Sequence, residues 1–278
     1  AAEHFTYNDL YRDVEPLTPI DRRGGKISIG YLAPDFLQSA AARFYESLLT
    51  QFDRRRFRVT CISLSSESDE FTDRIKNSVD DFIVLDTRSI ESSARKIAEL
   101  GLDILFDLGG HSSGGITLQL AAYRLAPVQI TGLGWFDTTG LDAIDYILTD
   151  AHLTPRGDER LFAEQFLLVP HALTFIPTPE MRPRDRRARS EITFGCFNNF
   201  MKITDEYLSC VAEILDRVPH SRLIMQDTTR IAARRRRMLD RIEKLLPIER
   251  VEVRLGRDDW LADYASIDVM LDTFPYNG

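Results

Sequence analysis

The chain has 278 residues, enough for one large domain or two of ordinary size, and its composition, 44% hydrophobic and 28% charged, is that of a globular protein. A formal net charge of −8 argues against a dedicated nucleic-acid binder, and three scattered cysteines (Cys61, Cys196, Cys210) support neither a disulfide framework nor a zinc site. All three lie among apolar neighbours and are expected as reduced core residues. No apolar run approaches the ~20 residues of a membrane span, no signal peptide opens the chain, and a cytoplasmic location is expected.

In chain order, residues 1–25 lack a sustained apolar period and are expected as a lead-in or linker. A regular alternation follows over 26–176. "KISIGYLAP", "FRVTCISL", "DFIVLD", "DILFDL", "PVQITGLG", "DYILTD" and "QFLLVP" read as strands. Helices are expected over Ala40–Phe52 and over "SIESSARKIAELG", the latter stopped by Gly101. Strands alternating with helices imply right-handed crossovers and a mostly parallel sheet. The stretch 177–190, rich in proline and arginine, reads as a linker with solvated arginines.

A second alternation occupies 191–278. "ITFGCFNN", "SRLIMQ", "RVEVRL" and "DVMLDTFPYNG" read as strands. One helix is expected over Thr204–Val218, burying Leu208, Val211, Leu215 and Val218. A second follows, with Ile231, Met238, Ile242 and Leu245 as its buried stripe, and a short third is expected near Trp260. Arg234–Arg237 fan around a helix turn and read as a solvated side. The last strand leads into Asn-Gly with no helix behind it, so the second domain reads as incomplete and the chain as a fragment.

Ligands of parallel α/β sheets bind outside the carboxyl ends of the strands, so the loops there carry the candidates. These are "APDFLQS" with Asp35, "DLGGHSSGG" with Asp107 and His111, "GLGWFDTTGLDAIDY", and "FNNFMKIT" with Asn198, Asn199 and Lys202. A lysine two residues ahead of the N-cap Thr204, with two amides beside it, offers a seat for an anion such as phosphate. A glycine-rich setting lets a ligand approach His111, whose unperturbed titration suits a general base. Asp35 and Asp107 could equally be loop-bonding residues, and His171 reads as structural. No Walker loop or GxGxxG fingerprint is present.

Taken together, "ISIGYLAPDF", "DLGGHSS", "APVQITGLGWFDTTGLDAIDYILTD", "TFGCFNNFMKIT" and "DVMLDTFPYNG" resemble, in order, the motif series of the O-GlcNAc transferase and SPINDLY family over residues 26–278. The resemblance implies a GT-B fold: two Rossmann-like α/β domains facing a cleft, the first on the acceptor side and the second binding the nucleotide sugar. It implies an inverting glycosyltransferase that moves a GlcNAc-like sugar from a nucleotide donor, UDP-GlcNAc or GDP-fucose, to serine or threonine of a protein, with no metal or other cofactor. It implies neither nucleic-acid nor membrane partners, and tetratricopeptide repeats in a longer chain. The alternatives are a protein O-fucosyl or flagellin-type transferase and a non-catalytic binding module that keeps the fold. By motif position, Lys202 would contact the donor diphosphate and Asn199 would lie near the same nucleotide. Gly134, Thr138, Thr139 and Gly140 would line the sugar pocket, while His111 and Asp35 are the first-domain catalytic candidates. The chain departs from the family where a usual histidine is Ser39, where animal members have a second histidine and this chain has Arg43, and where Gly-Tyr-Pro-Gly becomes Gly134-Trp135-Phe136-Asp137.

Overall fold

The computed structural model describes residues 4–18, 25–177, 191–227, 231–256 and 263–277. The chain divides into two compact units, Ala1–Ile176 and Pro177–Gly278. All but the first residue of the linker expected over 177–190, and the short helix expected near Trp260, lie outside the described residues.

In the first unit the strands are β1 (Ile27–Ala33), β2 (Phe57–Ser63), β3 (Asp81–Val84), β4 (Ile104–Asp107), β5 (Val128–Thr131), β6 (Tyr146–Thr149) and β7 (Gln165–Leu168). They form one sheet in the order β3-β2-β1-β4-β5-β6-β7, and every pairing is parallel. The central strands read as unbroken apolar runs because both of their faces are covered. Tyr31, Cys61 and Phe106 point to one face, against Tyr45 and Leu49 of α1 (Ala40–Thr50) and Phe71 and Ile75 of α2 (Glu70–Ser78). Their neighbours Leu32, Ile62 and Leu105 point to the other, against Ala94 and Ile97 of α3 (Ile90–Ala98) and Leu118 of α4 (Ile116–Ala121). This is the period-2 alternation of a sheet between two helix layers.

Helix starts are fixed by side-chain caps. Ser39 accepts from the Ala42 amide, Ser89 from the Ser92 amide, and Asp69 with Thr72 forms a reciprocal capping box. Ser39 is therefore a capping residue. The lead-in expected over 1–25 contains a 3₁₀ helix, His4–Tyr11, joined to the unit by the Leu17 amide, which donates to the Tyr123 carbonyl at 2.7 Å. It escapes a search for α-helical period because a 3₁₀ turn repeats every three residues.

In the second unit β8 (Ile192–Cys196), β9 (Ser221–Asp227), β10 (Val251–Leu255) and β11 (Val269–Met270) form a parallel sheet in the order β10-β9-β8-β11. Its core is Phe194, Cys196, Leu223 and Met225 under α5 (Asp205–Arg217) and α6 (Ala232–Leu245). The buried stripe of α6 is Met238 and Ile242; Ile231 is the N-cap residue and is exposed, because it precedes the first helical turn. Arg234, Arg236 and Arg237 are exposed, while Arg235 lies half-buried with its Nε 3.5 Å from the Asp227 carboxylate. Cys61 and Cys196 are buried as expected, but Cys210 is exposed, since it falls on the outer side of α5. No helix among the described residues is long and apolar enough to cross a membrane.

Candidate functional site

The parallel registers gather the candidate loops of the first unit at one sheet end. Leu32 of β1 lies opposite Asp107 of β4, and Asp107 opposite Thr131 of β5, so the loops carrying Asp35, His111 and Gly134 leave adjacent strands. Asp107 is fully buried and holds the glycine turn: its carboxylate accepts from the Gly109 amide at 2.9 Å, the Gly110 amide at 3.0 Å and Thr131 Oγ1 at 2.9 Å. Burial pushes its carboxyl up and these donors pull it back. Asp107 is thus the loop-bonding residue that the sequence allowed, with no face toward a ligand. Asp35 accepts from the Leu37 amide at 3.1 Å and shapes its own turn.

The loop after β5 meshes with the loop after β4 at van der Waals limits. A Cβ on Gly134 would stand 1.7 Å from the Leu108 carbonyl oxygen, and one on Gly110 would stand 2.3 Å from Trp135 Cβ. Only glycine fits at either place. Beyond Trp135, Thr138 and Thr139 are fully buried, and both hydroxyls are committed. Thr138 Oγ1 donates to Glu164 Oε2 at 2.8 Å and accepts from the Gly140 and Ala163 amides at 3.1 and 3.0 Å. The Thr139 amide donates to Glu164 Oε1 at 2.7 Å, and its hydroxyl donates to the same oxygen. The threonines expected to line a sugar pocket fix the backbone of that loop with their hydroxyls, and Glu164, buried ahead of β7, is their common acceptor.

His111 is half-buried, and its Nε2–H donates to the Thr139 carbonyl at 2.8 Å. A carbonyl only accepts, so the neutral ring carries its proton on Nε2 and keeps an open lone pair on Nδ1. Burial pushes this imidazole below the usual histidine range, against the opposing pull of the Thr139 carbonyl. Trp135 packs edge-on against it at 5.2 Å, and its indole N–H donates to the Thr138 carbonyl at 3.3 Å. Tyr7 and His4 of the 3₁₀ helix complete the surround, with ring centroids 4.5 Å from that of His111 in each case. These two, and Glu164, were not singled out from the sequence. Nothing in the sequence marked Glu164 as the acceptor of the two threonines.

In the second unit Met270 of β11 lies opposite Gly195 of β8, so the loops after these strands are neighbours. Asn199 caps a 3₁₀ turn over Phe200–Lys202 by accepting from the Met201 amide at 2.9 Å. Asn198 reaches across to Asp272 Oδ1 at 2.8 Å and Thr273 Oγ1 at 3.0 Å. Lys202 is half-buried; its ammonium donates to the Asn277 carbonyl at 2.8 Å and lies over the Tyr276 ring at 4.7 Å. Thr204 caps α5 as expected, and Asp205 and Glu206 occupy its first turn, which offsets the positive pole there. The ammonium, rather than the helix start, is the positive element at this strand end. Among the described residues no three His, Cys, Asp or Glu side chains converge as metal ligands.

The chain is similar to known proteins. The SPINDLY proteins of Solanum lycopersicum and Arabidopsis thaliana, each named a probable UDP-N-acetylglucosamine–peptide N-acetylglucosaminyltransferase, are each 34% identical to the chain, over 90% and 91% of its length. A solved mutant of the O-GlcNAc transferase of Thermobaculum terrenum superposes on 99% of the chain with a TM-score of 0.85 at 31% identity. The chain spans 28% and 29% of those two SPINDLY proteins and 54% of the Thermobaculum chain. The fold is α/β of the GT-B type. The family model described as glycosyl transferase family 41 matches residues 15–182, a span that holds every candidate residue of the first unit from Asp35 to Glu164, and the chain belongs to that family.

Proposed function

We propose that the chain is catalytic sequence of an inverting protein O-glycosyltransferase, one that moves a GlcNAc-like sugar from a nucleotide donor to serine or threonine hydroxyls. The observation that carries this reading is Lys202, a cation at the carboxyl end of β8, between the amide-bearing loop after that strand and the loop after β11. In a chain of this family, that is where a departing nucleoside diphosphate would be met. In the transfer the bond from the anomeric carbon to the diphosphate oxygen breaks as the acceptor oxygen bonds to the opposite face of that carbon. The diphosphate leaves with the bonding pair, and Lys202 stabilises the charge it gains. Asn198 and Asn199 hold the loop that presents the cation.

The acceptor hydroxyl must give up a proton. His111 Nδ1 is the base we assign, because its ring is neutral and oriented by Thr139, while Asp35 is engaged in its own turn. Glu164 and the two threonines keep the loop that bears the Thr139 carbonyl in place. No step of this scheme requires a metal. The donor is read as UDP-GlcNAc, after the names of the SPINDLY relatives.

Titration of the full chain with UDP, GDP and CMP, beside turnover of UDP-GlcNAc and GDP-fucose, tests the reading. With Lys202→Ala we expect the diphosphate nucleotide to bind at least tenfold more weakly and turnover to fall about 10²–10³-fold, the scale of losing one preorganised donor. Turnover that survives Lys202→Ala, or tight donor binding without any transfer, would overturn it.

A further inference from the structure

His111 sits in a loop that can do little to hold its own shape. Gly110, Ser113, Gly114 and Gly115 take left-handed backbone angles, with φ of +51°, +50°, +75° and +69°, and glycine gives up the most conformational freedom when it is ordered. Asp107 pins the start of the loop through the Gly109 and Gly110 amides. Further along, the loop meets the amino-terminal 3₁₀ helix, which is fastened to the unit by contacts of its own. Asn8 Nδ2 donates to Asp142 Oδ2 at 2.7 Å, and the Asp142 amide returns a hydrogen bond to Asn8 Oδ1 at 3.1 Å. Tyr7, Tyr11, Val14 and Leu17 pack against the buried cluster that contains Leu118 and Leu141.

So anchored, the helix sets Tyr7 against the loop. The Tyr7 ring stands edge-on to His111, with centroids 4.5 Å apart and planes at 76°, while the His4 ring lies on the same imidazole at 4.5 Å. A Cβ on Gly115 would lie 2.7 Å from the Tyr7 hydroxyl, and that hydroxyl bonds to the Tyr11 hydroxyl at 2.9 Å. The phenol therefore fills the space that a side chain at Gly115 would need.

We propose that Tyr7 is a positioning residue for His111: held by Tyr11 and packed on the glycine-rich loop, its ring keeps the imidazole where Nε2–H reaches the Thr139 carbonyl and Nδ1 is left for an acceptor hydroxyl. This rests on the reading of His111 as the acceptor-side base. A turn of the imidazole about its bond to Cβ would break the 2.8 Å bond to Thr139. Tyr7, His4 and Trp135 are the rings that resist that turn. Loss of the Tyr7 ring removes one of these walls and unpacks Gly115 in the same step. The family match begins at residue 15, so this role falls on residues ahead of the matched span.

The test records long-range ¹H–¹⁵N correlations of the full chain labelled in its five histidines, at alkaline pH, with His111 assigned through His111→Gln. The unaltered chain should give the pattern of an Nε2–H tautomer at His111. In Tyr7→Ala that pattern should give way to a mixture of tautomers, and hydrogen exchange over residues 110–115 should quicken. Tyr7→Phe keeps the ring and should restore both. In transfer assays Tyr7→Ala should lower kcat about 10- to 100-fold, the scale of a misplaced catalytic group, with the donor KM unchanged. Asn8→Ala loosens the helix without touching the loop, serves as the second variant and should shift the same signals in the same direction. Thermal unfolding verifies that each variant is folded. A tautomer pattern and exchange unchanged in both Tyr7→Ala and Asn8→Ala would overturn the proposal, as would Tyr7→Phe behaving like Tyr7→Ala. If those signals move while transfer does not, the positioning stands and the base assignment fails.

Discussion

Replacing Glu164 by glutamine changes one atom of a buried carboxylate, and the structure fixes the cost. Oε1 takes the amide and hydroxyl of Thr139, and Oε2 takes the hydroxyl of Thr138. If the new amide keeps its oxygen at Oε1, its NH₂ faces Thr138 Oγ1, whose two lone pairs already accept from the Gly140 and Ala163 amides. The Thr138 hydroxyl then has no acceptor and the NH₂ none either. The flipped amide is worse, because its NH₂ would meet two donors of Thr139. Two stranded donors in a region closed to water cost about 1–3 kcal/mol each, so the first unit should lose about 2–6 kcal/mol. Relaxation of the loop would bring the value toward the lower end. Urea unfolding followed by tryptophan fluorescence reads this, since Trp135 donates to the carbonyl of Thr138 itself. Amide exchange at Thr139 should quicken in step. A midpoint shift worth less than about 0.5 kcal/mol, with Thr139 exchange unchanged, would refute the claim that Glu164 holds the loop.

Gly134→Ala should cost about 3 kcal/mol or more or leave the chain insoluble, because its methyl would sit 1.7 Å from the Leu108 carbonyl oxygen and only a backbone shift relieves that; a melting point equal to that of the unaltered chain would contradict the contact. Asp150 accepts from the Ala172 amide at 2.7 Å and the His152 and Leu153 amides at 2.8 and 2.9 Å, which holds its carboxyl below the usual range. A carboxyl lowered on folding stabilises above its unfolded value, near 3.9, and that stability is lost as pH falls through the lowered folded value. Asp150→Asn should therefore be less stable than the unaltered chain at pH 7, and urea midpoints should show the gap closing as pH falls below about 4.

The strands were legible because a sheet covered on both faces makes them continuous apolar runs, as in "FRVTCISL". α1, α3 and α5 were legible because serine or threonine announces each start. α2 was passed over since "EFTDRIKNS" offers only Phe71 and Ile75 to a core, and α4 because it begins inside a glycine-rich loop. Among candidate residues, His111 and Lys202 stood out from their settings. What could not be read was commitment: nothing in "DTTG" says that both hydroxyls turn inward, and nothing in "FAEQF" marks Glu164 as buried. The same holds for the first residues, where His4 and Tyr7 count through a contact with a loop more than 100 positions away.

The Lys202 ammonium already has company, a backbone oxygen and an aromatic face from the stretch after β11. An ammonium has three N–H donors, so a newcomer can be met beside this incumbent. A neutral hydroxyl offers little more than the carbonyl already there, whereas an anionic oxygen brings a full opposite charge to the same cation. On the proposed reading of Lys202 as a diphosphate contact, the same ammonium would favour anions over neutral groups.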